Sequence, residues 1–288
     1  MTGLRDWVAG ARPRTLPAAV APVLVGTGAA AGVGALDAGR AVLALLVSLA
    51  LQIGVNYAND YSDGVRGTDA ERIGPTRLVA AGLATASAVR TAALTCFAIA
   101  AVAGLVLVAM TTWWLVAVGA FAIGAAWFYT GGTKPYGYRA LGEVSVFLFF
   151  GVVAVVGTAF VQAERILPQA VAASIPVGLL ACALLVVNNL RDIDGDAVSG
   201  KRTLAVVLGE HRTRWLYAAL IVLSFVVVAG LAAYRPFAAL GLAAAILALP
   251  PVGSVLGGAR GLVLLPALRD TGLMQLLLGV LLAIGLAI

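Results

Sequence analysis

Charge is scarce in this chain of 288 residues: 11% are Asp, Glu, Lys or Arg, where a soluble domain carries about 25%. Histidine is scarcer still. His211, beside Glu210, stands alone, which excludes a histidine-built metal centre or catalytic triad by count. Cys96 and Cys182 are the only cysteines, and both fall inside apolar stretches. They read as packing residues and leave no disulfide framework or metal-binding Cys pair. No linker or low-complexity tract divides the sequence, so residues 1–288 read as one domain.

What is abundant is apolar side chain: 62% of residues, with a mean hydropathy of +1.03. Runs near the ~20 residues needed to cross a bilayer recur along the whole chain. Nine are discernible: 16–35, 41–59, 87–110, 112–130, 141–162, 167–190, 213–233, 236–257 and 270–288. Lipid offers backbone groups no partner, so such runs must be helices or a closed barrel. They are continuous and rich in Leu, Ala and Val, without alternation of period two, which selects helices. The expectation is an all-α, multi-pass protein of nine transmembrane helices in a plasma membrane.

The net charge of +6 would suit nucleic acid, but its distribution argues for the lipid bilayer as the partner and for no nucleic acid. With the N-terminus in the cytoplasm, 16 of the 19 basic residues fall on the cytoplasmic side, and only Arg40, Arg165 and Arg235 on the other. That bias predicts a cytoplasmic N-terminus and, after nine spans, an external C-terminus. Of the 13 acidic residues only Asp37 and Glu164 lie outside. Acidic residues do not obey the orientation rule, so their clustering points to a polar site facing the cytoplasm.

Two clusters account for much of it: Asn56-Tyr-Ala-Asn59-Asp60-Tyr-Ser-Asp63, and Asn188-Asn189-Leu-Arg191-Asp192-Ile-Asp194-Gly-Asp196. Asn56 and Asp60 are four apart, as are Asn188 and Asp192, which puts each pair on one helix face. The pairs are 132 positions apart, which suggests two equivalent halves of four helices with a ninth added. One Asp or Asn at a helix end is ordinarily a cap. Several clustered carboxylates need something to neutralise them. Facing oxygen donors suit a hard divalent cation, Mg²⁺, with Asn56, Asp60, Asp63, Asn188, Asp192 and Asp196 as candidate ligands. Asp194 points to another face. A calcium loop at 192–203 is rejected, because its glycine is misplaced and Thr203 stands where Glu is required. Two long polar loops, about 60–86 and 191–212, carry the clusters and then basic residues, as a cap would. Arg77, Lys134, Arg139 and Lys201 lie nearest the clusters and can neutralise phosphate oxygens, so the bound group would be a diphosphate.

The first cluster, followed by Gly74-Pro75-Thr76-Arg77-Leu78-Val79, resembles the first motif of the UbiA superfamily of intramembrane prenyltransferases. Asn188 to Asp196 and then Lys201-Arg202-Thr203 resemble the second. Tyr129 to Glu143, with Trp7 to Pro17 and Leu265 to Asp270, is similar to the branch that prenylates 1,4-dihydroxy-2-naphthoate in menaquinone biosynthesis. The resemblance spans nearly the whole chain. It implies a bundle around a central cavity open to the membrane. There Mg²⁺ would hold a polyprenyl diphosphate between the motifs, and the naphthoate ring would be prenylated with loss of CO₂.

On this basis Asp60, Asp192, Tyr129, Lys134 and Arg139 are candidate catalytic residues. Asn56, Arg77, Tyr138, Glu143, Asn188 and Lys201 are candidate substrate contacts. Glu143 is an ionisable group at a membrane edge, and pairing with Lys134 or Arg139 is its structural alternative. Tyr136 is the weaker of the three tyrosine candidates. The first motif departs from the superfamily pattern: Tyr57 follows its Asn, and Gly64 stands where the last Asp is usual. Other acceptors, such as 4-hydroxybenzoate or homogentisate, stay open. A CDP-alcohol phosphotransferase would concentrate its carboxylates in one cluster. A cation-coupled transporter would carry them near mid-membrane.

Overall fold

The computed structural model describes residues 3–67 and 77–288, and nearly all of them are helical. No strand occurs among them; one isolated backbone bridge joins Arg139 and Arg202. A short helix α1 (Leu4–Gly10) precedes α2 (Pro17–Ala31), α3 (Ala38–Arg66), α4 (Ala86–Met110) and α5 (Leu115–Phe128). Then come α6 (Gly142–Ala163), α7 (Pro168–Arg191), the short α8 (Ile193–Val198) and α9 (Leu204–Ala232). Two segments bent by 45°, Pro236–Leu247 and Leu249–Leu256, form α10, and α11 (Leu265–Ala287) closes the chain.

Local chemistry sets the boundaries. Proline occupies the first turn of α2, α7, both halves of α10 and α11, where a missing N–H costs nothing. Asp37, Thr85 and Thr203 cap α3, α4 and α9 by accepting from Arg40, Ala88 and Val206 N–H. Gly67, at φ +74°, ends α3 in the left-handed conformation.

All nine apolar segments are helical. Six helices are long and apolar enough to cross a membrane, and the bent pair α10 makes seven. Helices α2 and α5 are apolar but shorter, so length alone does not yield nine spans. Two sequence expectations are corrected. α9 begins at Leu204, not near 213, and carries a non-helical Gly209. α3 runs unbroken through the first motif to Arg66, so the 60–66 part of the expected 60–86 loop is helix, while 68–76 lies outside the described residues. The second motif instead straddles a break between α7 and α8. The two motifs therefore differ in local backbone, the first being continuous helix and the second not.

The core explains where the site sits. α7 is the most enclosed long helix, packed against α9, α6, α11 and α2. α2 in turn touches α11, α6 and α3, and α3 lies along α4. α3 and α7 therefore bring both motifs to the same end of the bundle. At the opposite end Arg40 bonds Glu164 at 2.7 Å and the carbonyls of Val161 and Met110, tying α3, α4 and α6 together.

Candidate active site

A cavity of about 370 Å³ runs from the motif end into the bundle. Its polar end is lined by Asn56, Asn59, Asp63, Asn188, Asn189, Asp192 and Asp196, with Arg12, Arg77 and Lys201. Its deeper wall is apolar, with Leu107, Leu115, Val118, Phe149, Val153 and Val161 among the lining residues. Phe149 and Val153 come from a π-helical stretch, Phe147–Val153, inside α6. Such insertions rotate side chains out of the α register and are frequent at functional sites.

Asp63 is the hub. It is 2% exposed and receives Lys201 Nζ at 3.1 Å, Arg77 at 3.5 Å and a hydrogen bond from the Tyr138 hydroxyl. Lys201 Nζ also lies 4.0 Å from Asp196 Oδ1 and 4.9 Å from the centre of the Tyr138 ring. One lysine thus bridges the first motif to the second. Gly200, at φ +76°, turns the chain so that Lys201 N–H bonds the Asp196 carbonyl and its side chain points back. Asp192 is gripped by Arg191 at 2.7 and 2.6 Å, both residues buried. Arg66 donates to the carbonyls of Thr130 and Gly132, and so fixes the 130–138 segment that carries Tyr138.

Asp60 stands apart from the cavity. It is 1% exposed and absent from the cavity wall, and its two oxygens accept the backbone N–H of Leu78 at 2.8 Å and Val79 at 3.1 Å. It anchors the segment that presents Arg77. The geometric reason is helical: Asp60 is three residues from Asp63, hence rotated about 60° around α3. Asn56 reaches the cavity, but its amide N–H groups hold the Ala11 carbonyl at 2.9 Å and Thr15 Oγ1 at 3.2 Å.

Lys134 and Arg139 also stand apart from the cavity. Both are exposed and neither lines the cavity. The backbone bridge beside Arg202 and the Arg66 clamp turn their loop so that these charged side chains face outward. Glu143 pairs with neither; it is buried and accepts from Asn189 Nδ2 at 3.2 Å. Tyr129 and Tyr138 line the cavity. Tyr136 does too, while its hydroxyl bonds the Ala125 carbonyl and Ser145 Oγ, both at 2.9 Å. Asp194 and His211 are exposed, and both cysteines are free thiols.

Asn59, Asn189 and Arg12 also line the cavity and Arg191 braces Asp192, four residues not among the sequence candidates. A signal for Asn59 existed. Asn59 and Asp63 are also four apart, and 129 positions separate them from Asn188 and Asp192. The structure selects that register over 132, because both pairs line the cavity. Arg12 lies in the left-handed region, at φ +54°, an uncommon conformation for a residue with a side chain.

As a metal site, the donors are hard oxygens on two facing segments, the right chemistry for Mg²⁺. Among the described residues no three His, Cys, Asp or Glu side chains already converge on one point. Asp63 and Asp192 hold cations instead. The arrangement can bind an anion between those cations, with the carboxylates and amides to share a divalent ion.

Comparison with known proteins agrees with this geometry. The model of the UbiA prenyltransferase family matches residues 19–263. The 1,4-dihydroxy-2-naphthoate octaprenyltransferase of Mycobacterium tuberculosis is 54% identical over 276 residues, covering 96% of this chain and 94% of its own. The octaprenyltransferase of the same description from Escherichia coli is 41% identical, covering 77% of this chain and 75% of its own. In fold, the chain is similar to a UbiA homologue from Archaeoglobus fulgidus solved with GPP and Mg²⁺, at a TM-score of 0.68 and 15% identity. That pairing covers 96% of this chain and 99% of the other. With its two facing motifs, its cavity and these relatives, the chain belongs to the UbiA prenyltransferase family.

Proposed function

We propose that this protein transfers a polyprenyl group from polyprenyl diphosphate to 1,4-dihydroxy-2-naphthoate, with loss of CO₂, in menaquinone biosynthesis. The observation that carries the reading is the cavity itself. It joins an oxygen- and cation-rich end to an apolar channel, as a diphosphate with a hydrocarbon tail requires. The name of the 54% identical relative supports the acceptor.

Each residue then has a task. Arg77, Lys201 and Arg12 face the diphosphate oxygens. Asp63 and Asp196 position Lys201, and Arg191 positions Asp192. Mg²⁺ would be held by Asp63, Asp192 and Asp196 with the amide oxygens of Asn59 and Asn188, and it supplies positive charge to the leaving diphosphate. As the allylic C–O bond breaks, its electron pair leaves with the diphosphate, where the fixed cations stabilise it. The ring carbon bearing the carboxylate attacks the cation. The C–C bond to the carboxylate then breaks as CO₂ departs, and its electron pair restores the aromatic ring. The apolar wall excludes water that would quench the cation.

Purified protein given several aromatic acceptors, polyprenyl diphosphates and Mg²⁺ should yield mainly decarboxylated, prenylated naphthoquinol by mass. Dominant prenylation of 4-hydroxybenzoate would overturn the acceptor and leave the family untouched. EDTA should abolish turnover, and added Mg²⁺ should restore it.

The nine helical segments are read as nine spans, α2 and α5 crossing by virtue of their apolar flanks. The 16-to-3 distribution of basic residues puts the site at the cytoplasmic face. In a background lacking Cys96 and Cys182, Val198→Cys, a position 86% exposed beside the second motif, should react only with reagents that enter the cytoplasm. Labelling by an impermeant reagent on intact cells would reverse the topology. Thr68, an equivalent probe by sequence, lies outside the described residues.

A further inference from the structure

We propose that Glu143 is a positioning residue that fixes the orientation of the Asn189 amide, and through it sets a hydrogen-bond acceptor for a hydroxyl of the aromatic substrate. This deepens the proposed function and rests on it. Glu143 stands one layer behind the cavity wall. It is 9% exposed and does not line the cavity, whereas Asn189, 8% exposed, does. The two meet at 3.2 Å, Asn189 Nδ2 donating to Glu143 Oε1. A carboxylate has only acceptor atoms, so it selects the NH₂ side of the amide and turns the carbonyl side away. Asn189 Oδ1 takes no hydrogen bond from any described residue, although it belongs to a side chain on the cavity wall.

Three further facts separate this from ordinary packing. Among the described residues Glu143 has no cationic partner, and its Oε2 is buried without a hydrogen bond from any of them. A buried carboxylate in that state is costly, so its contact with Asn189 is not explained by stability. Its backbone is held independently, the Glu143 carbonyl taking the Cys182 thiol at 3.1 Å, so the side chain is not needed to place the helix. Finally, Tyr129, whose hydroxyl would lie 2.9 Å from a Cβ placed on Gly142, also lines the cavity. Asn189 and Tyr129 thus form a small polar wall beside α6.

The chemistry of that wall names its ligand. Asn189 Oδ1 accepts and cannot donate, so it recognises a substrate O–H and not the substrate carboxylate. A phenolic hydroxyl that donates to a carbonyl keeps its proton and gains electron density, which the ring needs when it attacks a cation.

The test compares Glu143→Gln and Glu143→Leu. Gln keeps an acceptor oxygen at the same reach; Leu removes it and lets the Asn189 amide turn over. Binding of 1,4-dihydroxy-2-naphthoate to purified protein is measured directly by calorimetry, and KM for each substrate by turnover. Glu143→Leu should weaken naphthoate binding and raise its KM about tenfold, the worth of one buried hydrogen bond, with KM for the prenyl diphosphate unchanged. Glu143→Gln should stay within about threefold of wild type on both. Asn189→Leu should match Glu143→Leu, and the double variant should be no worse than either. Equal loss in Gln and Leu would mean that the charge matters and the amide orientation does not, and would overturn the proposal. So would a loss in Leu shared equally by both substrates. Wild-type protein that fails to bind the naphthoate overturns this inference together with the proposed acceptor. Wild-type binding matched by Glu143→Leu overturns this inference alone.

Discussion

Asp63→Asn and Asp192→Asn should each cut prenyl transfer by about a hundredfold or more, the scale on which losing one preorganised electrostatic group acts. Asp63 alone gathers Lys201, Arg77 and the Tyr138 hydroxyl. A neutral amide accepts on one atom, donates on the other, and repels part of that set. Among the described residues Asp192 is the one partner of the buried Arg191 guanidinium, so its loss also strands a buried cation beside the cavity. A carboxylate binds a divalent ion far better than an amide, so both variants should need more Mg²⁺ for half-maximal rate. The double variant should be little worse than either single one, because the two act as a unit. Asp194→Asn is the control: the same charge change on an exposed residue outside the cavity should leave activity within about twofold. Asp60→Asn should lose activity by a different route. It places an NH₂ against the Leu78 or Val79 N–H and frees the Arg77 segment, so the Mg²⁺ requirement should not move. Turnover near wild type in Asp63→Asn or Asp192→Asn would sink the two-motif site.

The helices were legible in the sequence because continuous apolar runs can do little else in lipid. The motif register was not. Asn56, Asn59, Asp60 and Asp63 all lie within a narrow arc of one helix face, and polar residues at several candidate spacings look alike. Only the packing of α3 against the 77–79 segment separates Asp60, which anchors backbone, from Asp63, which faces the cavity. Lys134 and Arg139 lie apart from the cavity for a related reason. Nearness to the motif segments said nothing of the turn that Arg66 and the Arg202 bridge impose on their loop. Lys201 was readable because it follows the second motif closely, and the left-handed Gly200 folds it back. Glu143 was visible as an ionisable residue at a span edge, but its partner Asn189 was hidden inside a motif whose neighbouring Asn188 drew the attention.

Gly28→Leu should strongly destabilise the fold, and it acts far from the chemistry. Without a hydrophobic drive between helices in lipid, close backbone approach carries much of the packing, and small residues permit it. α2 offers Gly28 and Gly32, four apart, to α11, where Ala283 and Leu286 lie opposite. A Cβ on Gly28 would meet the Ala283 Cα at 2.5 Å, and one on Gly279 would meet the Ala21 Cβ at 2.7 Å. The obstructing atoms at Gly28 are backbone, so no rotamer change relieves the clash and the helices must separate. α2 also touches α3, α6 and α7, so a displaced α2 shifts both helices that carry the motifs. Overpacking of this kind costs about 3 kcal/mol or more, which should lower the apparent Tm in detergent by about 6 °C or more. Gly230→Leu tests whether the effect is steric or a matter of glycine in helices generally. Gly230 is exposed on α9, with no atom within 4 Å of an added Cβ. Leucine there should leave the Tm unchanged or raise it slightly, since leucine is the better helix former. A Gly28→Leu protein that melts with wild type, or a Gly230→Leu protein that falls with it, would refute the α2–α11 contact as the structural seam of the bundle.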